Sequence, residues 1–203
     1  MTDSEGDVAA RPVALVTGVG RRQGIGSAVA ERLARDGYDI AMSYWTPYDR
    51  RIFPDGGDGV ATELAHRLSS YGARCVPVES DLENPDVVPE LFDITEERLG
   101  TVSALVMCHC ESVDSGILDT SIESFDRHFA VNSRASWLLI REFGRRFASA
   151  FGSGRIIALT SDHTVDNVPY GASKGALDRI TIAASQEFAS IGVTANVINP
   201  GPT

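Results

Sequence analysis

No apolar stretch in the sequence approaches the roughly 18–20 residues that a bilayer-spanning helix needs, so no membrane span is expected. Cysteine is scarce. Three among 203 residues, Cys75, Cys108 and Cys110, give an odd number without framework spacing, which excludes a disulfide-stapled secreted fold. Positive charge is also short: 18 Lys and Arg against 28 Asp and Glu leave a formal net charge of -10. That field repels nucleic acid and anionic membrane surfaces, so neither is an expected partner. The opening MTDSEGDVAARP is acidic, with neither the basic nor the apolar region of a secretory leader. Residues 1–11 therefore read as a disordered acidic tail, residues 12–203 as one domain, and the protein as cytoplasmic. Cys108 and Cys110 flank His109 but lack Cys-x-x-Cys spacing and a second ligand pair, so no metal is expected.

What is present is an alternation of two periodicities. Hydrophobic residues make up 43% and charged residues 23%, a globular composition. Short apolar runs at 12–17, 39–44, 74–79, 103–108, 155–160 and 193–198 read as buried strands. Helical spacing fills 25–36, 60–70, 85–99, 121–150 and 170–190, and residues 45–59, with Pro47, Pro54, Gly56, Gly57 and Gly59, read as a polar loop. Six strands with intervening helices predict an α/β fold, a parallel sheet covered on both faces. Right-handed crossovers make it doubly wound, in the order 3-2-1-4-5-6, with a ligand crevice at the carboxyl ends of the strands.

Thr17-Gly18-Val19-Gly20-Arg21-Arg22-Gln23-Gly24-Ile25-Gly26 joins the first strand to the first helix, where a dinucleotide-binding turn belongs. Glycines admit a pyrophosphate close to the backbone, and the helix start offers free N–H groups. The second strand ends Ser43-Tyr44-Trp45, without the carboxylate that would select a ribose diol. Arg21 and Arg22 in the turn, with Arg50 and Arg51 beyond, suit a 2′-phosphate. NADP is thus the preferred cofactor and NAD the alternative. Downstream, Tyr170-Gly171-Ala172-Ser173-Lys174 places a phenol and an ammonium at i and i+4, on one helix face. A cation there is expected to lower the phenol's pKa toward neutrality and make it a usable acid or base.

Thr-Gly followed by Gly-Ile-Gly, together with Tyr-x-x-x-Lys, resembles the short-chain dehydrogenase/reductase family over essentially residues 13–203, and 3-oxoacyl-carrier-protein reductases within it. The resemblance implies a tetrad. Tyr170 protonates a carbonyl, Ser161 orients its oxygen (Thr160 being the rival), Asn132 holds a water relaying protons, and Lys174 also binds the nicotinamide ribose. It implies cofactor contacts at Gly18, Gly20, Arg21, Arg22, Gly24, Ile25, Gly26, Asp81, Tyr170, Lys174, Pro200, Gly201 and Thr203. Asp81 reads equally well as a helix cap. The implied activity is hydride transfer between NADP(H) and a ketone or secondary alcohol, the substrate possibly a 3-oxoacyl thioester. A homo-oligomer built on the helices at 121–150 and 170–190 is implied as well.

Three departures qualify the match. Cys108-His109-Cys110-Glu111 stands where the family carries Asn-Asn-Ala-Gly, whose hydrogen bonds cysteine cannot reproduce. Eight residues separate Ser161 from Tyr170, against about twelve in relatives, so the crevice there is expected to be open, with His163, Asp166 and Asn167 within reach of a substrate. Relatives continue about fifty residues beyond Thr203 and add a seventh strand, so this chain reads as truncated, with its sixth strand an exposed edge. A nucleotide-binding module with weak or absent turnover is accordingly the competing reading.

Overall fold

The computed structural model describes residues 10–53, 57 and 59–201. Six strands, β1 (Val13–Thr17), β2 (Asp39–Tyr44), β3 (Cys75–Glu79), β4 (Val102–Met107), β5 (Gly154–Leu159) and β6 (Val193–Ile198), form one sheet in the order β3-β2-β1-β4-β5-β6. Every pairing is parallel. The order and the doubly wound Rossmann class are those the sequence predicts. Parallel neighbours need crossovers, and α1 (Ile25–Arg35), α3 (Val60–Ser69), α4 (Val87–Arg98), α6 (Ala135–Arg146) and α7 (Val168–Glu187) supply them.

Side-chain alternation along β1 sorts the core into two layers. Val13 and Leu15 join a cluster with Leu91, Phe92, Leu139, Phe143 and Leu177, under α4, α6 and α7. Ala14 and Val16 join Ala30, Ala34, Leu64 and Leu68, under α1 and α3. Each fully buried large side chain contributes about 2 kcal/mol. The carboxyl ends of β1, β2, β3 and β4 are thereby held at one rim of the sheet, where the glycine-rich turn also sits. At the other end of the sheet order, Thr194 and Asn196 of the edge strand β6 are exposed, as is Ile198, while Val193 and Ala195 are buried. β6 is an edge of the sheet, and only one of its faces is covered.

Three boundaries differ from expectation. Residues 45–59 are not a loop throughout: α2 spans Thr46–Ile52, with Pro47 in its first turn. Proline there has no amide to waste and is already set at a helical φ, so the residue that suggested a loop begins a helix. The helix expected over 121–150 is divided into α5 (Ile122–His128), a π-helical turn (Phe129–Arg134) and α6, which stops at Arg146. Ser121 caps it, accepting a hydrogen bond from the Ser124 amide. Finally, Arg11 does not belong to a free tail. Its guanidinium donates to Ala34 O at 2.7 Å and Tyr38 O at 3.1 Å and pairs with buried Asp39. Residues 1–9 lie outside the described set.

Candidate active site

Glycine at three points of the β1–α1 turn is dictated by close approach. Gly18 has φ +74°, and a Cβ there would lie 2.6 Å from the His109 amide nitrogen. At Gly26 it would lie 2.5 Å from Gly18 O. At Gly20 it would coincide with the Asp49 carboxylate. Gly24 caps α1 without a side-chain hydrogen bond, so the first amides of the helix, beginning at Ile25, keep their donors for an anion. The two extra residues of the turn fold outward in a bend closed by Gly24 N–H donating to Arg21 O at 3.2 Å, with the Ser27 hydroxyl donating to the same carbonyl.

The arginines divide. Arg21 lines the cavity beyond the turn, its guanidinium stacked 3.9 Å above the Phe53 ring. Arg22 corrects the expectation placed on it. It pairs on the surface with Glu63 of α3 at 2.6 Å, and it is not among the residues lining the cavity. Arg51 of α2 also faces the cavity and binds both oxygens of buried Glu111, at 2.5 and 2.7 Å. The cavity is about 270 Å³, bounded by Gly18, the end of β2 (Tyr44, Trp45), the end of β3 (Asp81, Leu82), α2 and Cys108 to Glu111. Asp81 does not cap α4, which begins at Val87 after Asp86: one of its carboxylate oxygens accepts the Glu83 amide at 3.0 Å in a turn, and the residue forms cavity wall.

Asp49 is a feature that sequence reading missed. It lies on α2, is 7% exposed, and packs its carboxylate onto Gly20 at the cavity wall. Burial raises its pKa, opposed by the Arg21 charge. The missed signal was Pro47: reading it as a helix start would have placed Asp49 one turn into α2, directly after β2.

The second group gathers where the cavity ends. Tyr170 and Lys174 share a face of α7, with the ammonium 5.6 Å from the phenol ring centre. Lys174 is buried and donates to Leu159 O at the end of β5, at 2.8 Å. Burial lowers its pKa, partly offset by Cys110, Cys108 and Asp178. Tyr170 is pushed up to about 12 by burial, then by Cys110, while a hydrogen bond with Ser161 acts in the opposite direction. The expected lowering of the phenol by Lys174 is therefore corrected. The ammonium is directed at a carbonyl and the ring face, and desolvation decides the balance. Ser161, just beyond β5, also accepts the His163 amide at 3.1 Å. Thr160 Oγ1 is buried without a partner. Cys110 connects the two groups, since it lines the cavity and lies beside Tyr170.

Asn132 sits in the π-helical turn, fully buried. Its amide nitrogen donates to Glu111 O and to Ser173 Oγ, both at 2.9 Å, and its oxygen accepts the Glu111 amide at 2.7 Å. Both amide protons are thus engaged with protein, so the side chain does not itself donate to a relay water. It fixes the Cys110–Glu111 segment against α7. The extra residue of a π turn re-aims side chains and recurs at functional sites.

His109, between the two cysteines, is hydrogen-bonded through both ring nitrogens. Its Nδ1 lies 2.7 Å from the Thr17 hydroxyl and its Nε2 3.1 Å from Val131 O. Buried beside Lys174, it is held down to about 3. Of the loop residues expected near a substrate, Asn167 is buried and donates to Asp114 Oδ1 at 2.7 Å and Ser112 Oγ at 3.1 Å. His163 and Asp166 are exposed. Pro200 and Gly201 form an exposed turn after β6, away from the cavity wall, and Thr203 lies outside the described residues.

A glycine-rich turn at the start of the cavity and a half-buried phenol beside a buried ammonium are the arrangement expected of an α/β oxidoreductase. Comparison with known proteins agrees. A family model described as Enoyl-(Acyl carrier protein) reductase matches residues 18–203. An uncharacterized oxidoreductase, YjdA of Bacillus subtilis, is 33% identical over 196 residues, covering 94% of this chain and 74% of its own length. The short-chain dehydrogenase/reductase eriH of Hericium erinaceus is 32% identical over 198 residues, with 96% and 75% covered. The crystal structure of a blue fluorescent protein from a metagenomic library, in complex with NADPH, superposes with a TM-score of 0.83 at 31% identity, covering 95% of this chain and 75% of that one. The chain belongs to the short-chain dehydrogenase/reductase family. It is an oxidoreductase that spans about three quarters of the length of these relatives.

Proposed function

We propose that the protein binds NADP(H) and catalyses hydride transfer between it and a ketone or secondary alcohol, with a 3-oxoacyl thioester as the finer substrate assignment. The observation that carries this reading is the grouping of Tyr170, Ser161 and Lys174 beside Cys110, at the end of a cavity that starts from a glycine cradle. When bound, the nicotinamide supplies hydride. The residues do the rest. Gly18, Gly20, Gly24 and Gly26 clear space at the turn, and the uncapped start of α1 binds phosphate. Arg21 and Arg51 face the 2′-phosphate, while Asp49 beside them accepts a ribose hydroxyl. Asp81 meets the adenine edge.

At the reacting end, Tyr170 is protonated at neutral pH and so carries the proton that a carbonyl oxygen takes up during reduction. The Ser161 hydroxyl donates to the same oxygen and orients it. Lys174, held between Leu159 O and the Tyr170 ring, supplies positive charge and holds the nicotinamide ribose. Asn132 fixes the Cys110–Glu111 segment, which lines the cavity beside Tyr170.

Phe125, Trp137 and Ile182 are exposed on α5, α6 and α7, and this apolar face supports assembly into a homo-oligomer. Three free cysteines suit the reducing cytoplasm. The test is a titration with NADPH and NADH read by Trp45, which lines the cavity, followed by NADPH consumption with a panel of ketones and oxoacyl thioesters. Saturable quenching and turnover are expected. Binding without turnover on any carbonyl would leave a nucleotide-binding module, and no saturable change would remove the cofactor assignment.

A further inference from the structure

Resting on that reading of the site, we propose that His109 is a positioning residue that holds the cofactor turn and the π-helical turn in register through its two ring nitrogens. The geometry fixes which nitrogen carries the proton. Val131 O at 3.1 Å is a carbonyl and can only accept, so Nε2 donates to it. In a neutral ring Nδ1 then accepts, and the Thr17 hydroxyl donates to it at 2.7 Å. Nε2 is also 3.3 Å from Ser136 Oγ, whose own proton goes to Asn132 O at 2.8 Å. One connected path therefore runs from Thr17, at the carboxyl end of β1, to the backbone of Val131 and Asn132.

Each end of that path belongs to working machinery. Thr17 precedes Gly18, whose missing Cβ leaves room for the backbone amide of His109 itself. Asn132 clamps Glu111 and Ser173, and Ser173 in turn donates to Tyr170 O at 2.8 Å. Loss of the imidazole would loosen the turn and the Asn132 clamp together, because both hydrogen bonds end on one ring. Lys174 is the charged group that bears on this ring, and its ammonium opposes a second positive charge beside it. The ring is 8% exposed, so water cannot replace lost partners cheaply.

The experiment uses the whole chain with NADPH and an accepted ketone, and compares His109→Phe, His109→Asn and the unmutated protein. His109→Phe should keep bulk, weaken NADPH binding several-fold, and lower kcat per NADPH-binding site at least tenfold. His109→Asn, with a donor and an acceptor of its own, should recover most of both. A purely structural role would change thermal stability while leaving kcat per binding site unchanged. If His109→Phe does not fold, ¹⁵N spectra of the unmutated protein decide, since the His109 signal should show the Nε2–H neutral form from pH 8 to pH 5. A phenylalanine variant within twofold of the unmutated protein in both constants overturns the proposal, as does an Nδ1–H or charged ring in that pH range. If the unmutated protein binds NADPH but reduces no carbonyl, the function proposed above fails, while the binding and NMR measurements still judge His109.

Discussion

Burial acts in opposite senses on the two partners of α7. It raises the phenol of Tyr170 to about 12 and lowers the ammonium of Lys174 from the ordinary lysine value, because desolvation penalises the charged form of each. Lys174 is the only lysine in the sequence, which makes the second half directly measurable. After reductive ¹³C-methylation, its single side-chain resonance should titrate below the ordinary lysine value of 10.5; titration at or above that value would contradict the burial argument. His109 gives an acid-stability prediction. Folded, it is held to about 3 against an ordinary 6.5. As pH falls from 6.5 toward 3, the unfolded chain binds a proton that the folded chain refuses, so stability contributed above 6.5 is lost. Urea midpoints at pH 7 and 4.5 should therefore differ more for the unmutated protein than for His109→Asn. Parallel shifts would speak against it. Tyr170, Lys174 and Ser161 were legible in the sequence because fixed spacing and chain order carry them. Asp49 and His109 were not, because their roles arise from tertiary contact with Gly20 and Thr17, and neither contact leaves a local pattern.

Elements follow a similar division. Strands and their order were readable because parallel strands buried on both faces are continuous apolar runs. The π-helical turn was not, since α5 and α6 carry uninterrupted helical periodicity through Phe129–Arg134 and only packing shows the inserted residue. On the first turn of α7, a Cβ on Gly171 would lie 2.0 Å from O of His163 in the preceding loop, a backbone atom with little room to shift. Gly171→Ala should displace the loop carrying Ser161 and reduce kcat at least tenfold, while leaving NADPH affinity within about threefold, because the cradle lies on β1 and α1. Steady-state kinetics with fluorescence titration checks this; an unchanged kcat would mean the loop position is immaterial. Gly26→Ala should do the reverse and abolish NADPH binding, since its Cβ would meet Gly18 O at 2.5 Å.

At the scale of the whole molecule, cavity and glycine turn occupy one rim of the sheet, while Phe125, Trp137 and Ile182 are exposed apolar side chains on α5, α6 and α7. Trp137 is 46% exposed and lines a groove with Phe129 and Ile180. Trp137→Glu should shift an oligomer toward monomer in size-exclusion chromatography with light scattering; an identical mass for both proteins would remove this face from the assembly. The central claim concerns chemistry, and it has one direct test. Tyr170→Phe and the unmutated protein should be loaded with saturating NADPH and mixed with the same ketone, and oxidation of bound NADPH followed in a single turnover. Losing a positioned general acid costs about 10²–10⁴ in rate. The variant should thus bind NADPH about equally well and react at least a hundredfold more slowly. Equal single-turnover rates would show that the phenol of Tyr170 does not deliver the proton.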